Sequence, residues 1–251
     1  MRRTLLGSLA ALLVAVTLAG CGGGSNSTTL RVGTEGTYSP FSFQGPDGKL
    51  TGYDVEIAQA VGAKLGKTVE FVQTPWDSIF AGLEAKRFDL VANQVTINDE
   101  RKAKYDLSAP YTVSEGVIVT RADNTAIKTL ADLKGRTTAQ SATSNWAKVA
   151  RDAGANVEAV EGFVQAVRLL KDGRVDATVN DTLAVGEYVK TTSDAGVKVA
   201  GTTGDTSQQA FAARKDSGLI GDVNRVLGEL RADGTLKRIS EKYFGSDVSG
   251  S

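Results

Sequence analysis

Two carboxylates of this chain are candidates for acid–base chemistry, and each comes directly after an apolar run. Glu35 follows the run that begins at Leu30, and Asp181 follows the run Val175–Asn180. Such a pair can act as general acid and general base only when the two pKa values are driven apart, and nothing in the surrounding sequence indicates that. The chain has no histidine, which excludes Ser-His-Asp and Cys-His nucleophiles and H-E-x-x-H zinc sites.

Two hydroxyl side chains, Ser141 and Thr143, open a predicted helix over Thr143–Ala153. The N–H groups in the first turn of a helix have no partner within the helix and carry a positive partial charge. They could therefore take a carboxylate oxygen. Simple capping of the helix by the hydroxyls is the alternative, and the two interpretations are compatible.

The single cysteine, Cys21, ends a segment that is typical of export. Arg2 and Arg3 precede an apolar run, Leu5–Ala19, which is shorter than the roughly 20 residues that span a bilayer. A charged start, a short apolar stretch and small residues before a cleavage point are typical of a secretory signal. The ending Leu-Ala-Gly-Cys resembles a bacterial lipobox, which implies a signal peptide over 1–20, a lipidated Cys21 and a flexible Gly/Ser-rich tether over 21–29. An ordinary signal peptide with an incidental cysteine is the alternative.

Composition narrows the classes of protein further. Basic and acidic side chains are equal at 29 each, and 41% of the residues are hydrophobic. This balance excludes a broadly basic nucleic-acid binder, and the hydrophobic content excludes a disordered chain. One thiol cannot form an intrachain disulfide or a thiolate metal cluster. We therefore expect no metal, no cofactor and no nucleic-acid partner.

After the tether, strand-like and helical patterns alternate in two series. Strands are predicted over Leu30–Thr34, Thr68–Val72, Phe88–Ala92, Tyr111–Thr120, Thr137–Ala139, Val157–Val160, Val175–Asn180, Val197–Ala200 and Gln209–Ala213. Helices are predicted over Gly52–Leu65, Ala131–Lys134, Thr143–Ala153, Gly162–Lys171, Thr182–Lys190, Leu219–Arg231 and Thr235–Tyr243, with one more opening at Thr74-Pro75-Trp76-Asp77 and capped by Thr74. This alternation predicts an α/β fold in two lobes with mostly parallel sheets.

Six motifs in order resemble the extracytoplasmic solute-binding proteins of amino-acid ABC transporters. They are G-T-E-G-T-Y-S-P-F-S-F from Gly33, G-K-L-T-G-Y-D-V-E-I-A from Gly48, W-D-S-I-F-A-G-L-E-A-K-R-F-D from Trp76, A-N-Q-V-T-I-N-D-E-R from Ala92, D-L-K-G-R from Asp132 and G-R-V-D-A-T-V-N-D from Gly173. The first and fourth look most like the cystine-binding branch. The resemblance implies two α/β lobes, 30–120 with 210–245 and 121–209, joined by two crossing strands, with the ligand in the cleft between them.

The same resemblance implies roles for several polar residues. It puts Arg101 on the ligand α-carboxylate, which suits the planar fork of a guanidinium, and Asp181 on the α-ammonium. Gln94 and Thr96 match polar positions on the wall of lobe one. The alternatives are a solvated helical arginine, a helix N-cap at Asp181 and an ordinary strand-end threonine.

The nature of the ligand depends on three further residues. Tyr38 and Trp76 are the expected aromatic walls, although packing in a turn and a hydrophobic contact at a helix start are the alternatives. Glu35 adds a second acid to the cleft, which is costly unless it meets another cation. A neutral amino acid has only the ammonium already matched by Asp181, whereas L-cystine has a second one and a basic amino acid has a cationic side chain. A solvent-facing turn glutamate is the alternative.

We therefore expect a monomeric, lipid-anchored extracytoplasmic protein that captures an amino acid, with L-cystine favoured, and passes it to an ABC permease. A basic or other polar amino acid is the alternative ligand. A carboxylate-dependent dehydratase on the same fold and the sensor domain of a receptor are the alternatives from other classes. A sensor would need a membrane helix after Tyr243, and the sequence there predicts none.

Overall fold

The computed structural model describes residues 28–250, so Cys21 and the predicted signal lie outside the described residues. The strands are β1 Thr29–Thr34, β2 Thr37–Tyr38, β3 Ser42–Gln44, β4 Leu50–Thr51, β5 Thr68–Gln73, β6 Leu90–Thr96, β7 Tyr105–Leu107, β8 Thr112–Arg121, β9 Thr137–Gln140, β10 Asn156–Ala159, β11 Thr178–Asp181 and β12 Val197–Arg214. The helices are α1 Tyr53–Lys64, α2 Trp76–Glu84, α3 Asp99–Lys104, α4 Asn145–Asp152, α5 Phe163–Lys171, α6 Thr182–Thr192, α7 Leu219–Ala232 and α8 Thr235–Phe244, with a 3-10 turn over Leu130–Leu133. The predicted α/β class is confirmed.

The main sheet is mixed rather than mostly parallel. Its strands lie in the order β11-β8-β12-β6-β1-β5, and β7 also pairs with β12. β1 is parallel to β5 and β6, but β12 is antiparallel to β6, β7 and β8, and β11 is antiparallel to β8. The prediction of mostly parallel sheets was wrong because β12 runs back along its neighbours, which the β-α alternation does not reveal.

The two strands predicted over Val197–Ala200 and Gln209–Ala213 are one 18-residue strand, β12. The stretch between them is polar and contains Gly201 and Gly204, which lowers its intrinsic preference for a strand. Pairing with β8 holds it extended, with register shifts between Val199 and Gly201 and between Thr202 and Thr206. Tertiary pairing therefore decides the conformation of this segment.

Four clusters of buried hydrophobic residues lie in the described part of the chain, and the largest two show the division into two lobes. The first lobe buries Leu30, Tyr53 and Phe211 together with the apolar faces of α1, α7 and α8. The second buries Val117, Phe163 and Val197 with the apolar face of α5. β8 and β12 pair along their lengths, and β12 contributes to both cores, so these two strands join the lobes. The residue limits predicted for the lobes stay a prediction.

Two helix starts differ from the predicted ones. α2 begins at Trp76 with Pro75 at its N-cap and no side-chain cap, because the Thr74 hydroxyl donates to the Val72 carbonyl instead. α4 begins at Asn145, two residues after the predicted start, and the Ser144 hydroxyl accepts from the Ala147 N–H. In both cases a neighbouring residue takes the capping position. Within residues 28–250, no helix combines the length and the apolar content needed to cross a membrane.

Candidate ligand-binding cleft

A cavity with an empty volume of about 590 Å³ lies between the two lobes. This volume includes space that is open to solvent at the mouth of the cavity. The first lobe contributes residues around the ends of β1 and β6 and the start of α2, and the second contributes β9, β11 and the starts of α4 and α5. The polar residues that line it are Glu35, Thr37, Asn93, Gln94, Gln140, Ser141, Ser144, Asn145, Thr178 and Asn180, and the aromatic ones are Tyr38, Trp76, Trp146 and Phe163.

The structure brings some predicted site residues into this cavity and leaves others beside it. The five that line it are Glu35, Tyr38, Trp76, Gln94 and Ser141. The four that do not are Thr96, Arg101, Thr143 and Asp181. The roles predicted for all nine in ligand binding stay predictions.

Glu35 is a cavity carboxylate with an amide partner. Asn93 Nδ2 donates to its Oε2 at 2.5 Å, and the Glu35 N–H donates to Asn93 Oδ1 at 2.8 Å. Burial raises the pKa of Glu35 to about 7, although the hydrogen bonds from Asn93 and from the Trp76 backbone oppose the rise. Glu35 forms no ion pair with another described residue. A ligand cation would therefore compensate a charge that the protein leaves unpaired.

Tyr38 joins the two lobes across the cavity through Asn180. Its hydroxyl donates to Asn180 Oδ1 at 2.8 Å. Burial raises the pKa of Tyr38 well above its usual value, and the charges of Asp181, Glu35 and Asp54 raise it further. Asn93, Gln140 and Asn180 were missed by the sequence analysis. Their signal was available, since each is an amide within or at the end of a strand that is largely buried.

Asp181 is the N-cap of α6, which was the structural alternative for this residue. Its Oδ1 accepts from the Leu183 N–H at 2.8 Å, and its Oδ2 accepts from the Ser114 hydroxyl and from Gln209 Nε2 at 3.4 Å. Burial raises its pKa to about 6, while the hydrogen bonds from Ser114 and from the backbone at the start of α6 oppose the rise. Only 2% of the residue is exposed. Asp181 can cap α6 and still attract a ligand cation, because its carboxylate has no cationic partner among the described residues.

Arg101 lies in a groove next to the cavity. The groove and the cavity share Ser144 and Asn145. Arg101 Nη1 donates to the Thr96 carbonyl at 2.9 Å, and its guanidinium carbon stands 5.0 Å from the centre of the Trp76 ring. Burial lowers the pKa of Arg101 to about 10. It forms no ion pair with any residue of 28–250, so most of its donors can still take a carboxylate.

Asp77 occupies the donors that the sequence analysis assigned to a ligand carboxylate. Its Oδ1 accepts from the Thr143 N–H at 3.0 Å and the Thr143 hydroxyl at 2.7 Å, and its Oδ2 accepts from the Ala142 N–H at 3.2 Å. Ser141 donates to the Glu161 carbonyl. These donors belong to the loop before α4, whereas Asp77 lies in the first turn of α2. The contact therefore holds the two lobes together at the rim of the groove.

The Asp77 contact predicts an effect on closure. Asp77→Ala removes three hydrogen bonds made only when the lobes are together, so we expect three- to tenfold weaker ligand binding, from about 1 kcal/mol for an exposed charged contact. Calorimetry measures the affinity, and X-ray scattering measures the compaction on ligand addition. Glu100→Ala is the matched control, because Glu100 lies in the same groove but pairs only with Lys104 of its own helix. Wild-type affinity in Asp77→Ala would rule out this role.

The fold and the cleft define a two-lobed α/β binding protein in which a solute is enclosed between lobes joined by paired strands. Residues 30–246 match the bacterial extracellular solute-binding proteins, family 3, and the chain belongs to this family. It is 54% identical over 222 residues to the L-cystine-binding protein TcyA of Bacillus subtilis strain 168, covering 88% of this chain and 82% of that protein. The predicted family is confirmed.

Two solved structures bear on the arrangement of the lobes. An ancestral arginine-binding protein bound to arginine has a TM-score of 0.81 at 41% identity, covering 87% of this chain and 99% of that one. The L-cystine solute receptor of Neisseria gonorrhoeae, unliganded and open, has a TM-score of 0.60 at 45% identity, covering 89% and 95%. The similarity in structure is greater with the liganded protein although the identity is lower. The lobes of this chain are therefore arranged more like the liganded protein.

Proposed function

We propose that this protein captures L-cystine outside the cytoplasm and delivers it to an ABC importer. The observation that carries the proposal is Glu35, a cavity carboxylate whose side-chain partner is the neutral amide of Asn93. A ligand with one ammonium leaves Glu35 uncompensated beside Asp181, whereas cystine has an ammonium for each. The similarity to TcyA, named as an L-cystine-binding protein, supports the same ligand.

The proposed pose places one amino-acid end of cystine towards Arg101 and Asp181 and the other towards Glu35. The first carboxylate reaches Arg101 where the groove and the cavity meet, at Ser144 and Asn145. The disulfide lies against Tyr38 and Trp76. The only cysteine of the chain is Cys21, so no thiol of the lobes can exchange with the ligand disulfide.

The test of the ligand is a titration of wild type and Glu35→Gln with cystine, lysine, arginine and glutamine. We expect cystine to bind wild type most tightly and Glu35→Gln to weaken cystine by tenfold or more, because the second ammonium loses its counter-charge. Glutamine binding should change little. Glu70→Gln, on the exposed edge strand β5, controls for the loss of one negative charge. Tighter binding of arginine or glutamine by wild type would contradict cystine, and unchanged cystine binding by Glu35→Gln would contradict the role of Glu35.

A basic amino acid is the second candidate ligand. The similarity to an arginine-binding protein bound to arginine favours it, and its side-chain cation could meet Glu35 in the same way. The titration above separates the two ligands. Tighter binding of cystine than of lysine or arginine by wild type supports cystine, and the reverse order supports a basic amino acid.

The proposal is for a binding protein and not for an enzyme. Burial raises the pKa of Glu35 to about 7 and that of Asp181 to about 6, so the two shifts have the same direction. An acid-base pair needs pKa values that are separated. Recovery of the ligand unchanged after long incubation with the protein is the expected result, and a product with altered mass would overturn it.

The proposed anchor is a lipid on Cys21, and the proposed oligomeric state is a monomer that meets the ABC permease at the membrane. Cys21→Ala removes the one thiol that could accept a lipid. We expect the variant to appear in the soluble extracytoplasmic fraction or to remain unprocessed, as judged by fractionation and mass spectrometry of the mature chain. Ser25→Ala, four residues further along the tether, is the control. Processed, membrane-bound Cys21→Ala protein would contradict lipidation.

A further inference from the structure

The last described segment of the chain, residues 246–250, lies on β8, one of the two strands that join the lobes. The Val113 N–H of β8 donates to the Val248 carbonyl at 2.8 Å, and the Val248 side chain packs against the core of the first lobe. Only 2% of Ser249 is exposed. We call residues 246–250 the strap. Most of it follows residues 30–246, the part of the chain that matches the family.

An arginine of α7 ties the strap to the chain that enters β8. Arg231 Nη2 donates to the Pro110 carbonyl and to the Ser249 carbonyl, each at 2.9 Å. Asp247 Oδ1 accepts from the Ser249 N–H at 2.9 Å and from its hydroxyl at 2.7 Å, which fixes the turn before Ser249. All of these contacts lie on the side of the first lobe, so the strap holds the beginning of β8 to that lobe.

The strap approaches β8 closely enough to require glycine at position 250. Gly250 has a φ of 70°, and a Cβ there would lie 2.6 Å from Val113 Cγ2. The branched side chain of valine has little freedom to move aside. Gly48, in the turn between β3 and β4, has a φ of 74° but has nothing within 4 Å of the Cβ position. A methyl group at 250 would therefore push the strap away from β8, whereas one at 48 adds only the strain of the turn.

The part of β8 directly after the strap is where the two lobes meet. From Gly116 onward, β8 pairs with β11 of the second lobe. On its other side, the pairing of β8 with β12 shifts in register between Thr202 and Thr206. Residues 114–115 are therefore the short stretch of β8 between the part held by the strap and the part held by the second lobe.

We infer that the strap fixes the end of β8 that belongs to the first lobe and confines the movement between the lobes to residues 114–115 and the facing irregular part of β12. A hinge of a few residues absorbs the change in backbone angles when lobes close. Without the strap the free stretch of β8 is longer, and the ligand-free protein populates more open arrangements. The closed fraction then falls, and the apparent affinity falls with it. The alternative is that the strap only stabilises the first lobe.

The test compares wild type with Gly250→Ala and with a chain shortened after Gly245. X-ray scattering measures the radius of gyration with and without cystine, calorimetry measures the affinity, and thermal melting is recorded for each. We expect both strap variants to have a larger ligand-free radius than wild type, the same radius with cystine, and cystine binding weaker by about threefold or more, as for the loss of one hydrogen bond. Gly48→Ala is the matched control and should equal wild type in radius and affinity.

The outcomes separate the two roles of the strap. A lower melting temperature with an unchanged ligand-free radius and unchanged affinity would show a purely structural strap and overturn the inference. Hydrogen exchange of wild type needs no variant: the Val113 amide should be equally protected with and without cystine, and protection only with cystine would overturn the inference as well. The ligand-free radius does not depend on the proposed ligand. Wild type that fails to bind cystine would therefore overturn the proposed function, whereas equal ligand-free radii in wild type and the strap variants would overturn the role of the strap.

Discussion

Arg101→Ala and Asp181→Ala are each expected to weaken ligand binding by roughly 30-fold or more. Both residues are buried, with 7% and 2% exposed, and neither charge has an ion-pair partner in the described chain. Removing one leaves a desolvated charge of the ligand unpaired, which costs about 2–5 kcal/mol. Calorimetry on the mature domain measures the effect directly.

The two positions need different controls. Lys102→Ala removes an exposed neighbour of Arg101 that pairs with Asp99, so it should bind like wild type. Asp181 also caps α6, and Asn is an equally good cap, so Asp181→Asn should keep the melting temperature while losing affinity. A change of less than about threefold in Arg101→Ala or Asp181→Asn would remove that residue from the site.

The second large effect is a dependence of ligand affinity on pH. Burial raises the pKa of Glu35 to about 7 and that of Asp181 to about 6, so these two carboxyls are partly protonated in the unliganded protein between about pH 6 and pH 7. A ligand ammonium binds these carboxyl groups only when they are ionised. We therefore expect binding to release protons and affinity to fall by at least tenfold from pH 7.5 to 5.5, by linkage.

Stability without ligand should have the opposite dependence on pH. A carboxyl whose pKa is higher in the folded protein binds more protons folded than unfolded between about pH 4 and pH 7. Glu35 and Asp181 therefore lower the free energy of unfolding as the pH rises through that window, and a bound ligand offsets the loss. The stabilisation by ligand, measured as a shift of the melting temperature, should grow with pH.

Calorimetry in two buffers of different ionisation enthalpy counts the protons released at pH 6.5. Glu35→Gln and Asp181→Asn should each reduce the count, because each removes one group that titrates. Glu70→Gln, whose side chain lies on exposed β5, should leave it unchanged. Proton uptake, or an affinity that stays flat from pH 5.5 to 7.5, would contradict the linkage.

The sequence alone predicted much of the local structure and the class of the protein. Helices such as α5 and α7 were predicted to within one residue at each end, because their apolar residues recur at helical spacing and turn residues bound them. The motifs from Gly33 to Asp181 identified the family, since they lie in order along most of the chain. The absence of histidine directed attention to carboxylates and arginine, and of the residues so predicted Arg101 and Asp181 are buried and Glu35 is half-buried in the cavity wall.

Only the tertiary structure decided how these groups meet. Asp77 bonds to Thr143, 66 positions away, and Asp54 bonds to Gln94, 40 positions away. Arg101 stacks on Trp76 in a groove beside the cavity, and the polar middle of β12 is extended only because β8 pairs with it. Periodicity and propensity describe neighbours in the chain, whereas these contacts depend on the packing of separate elements and on the approach of one lobe to the other.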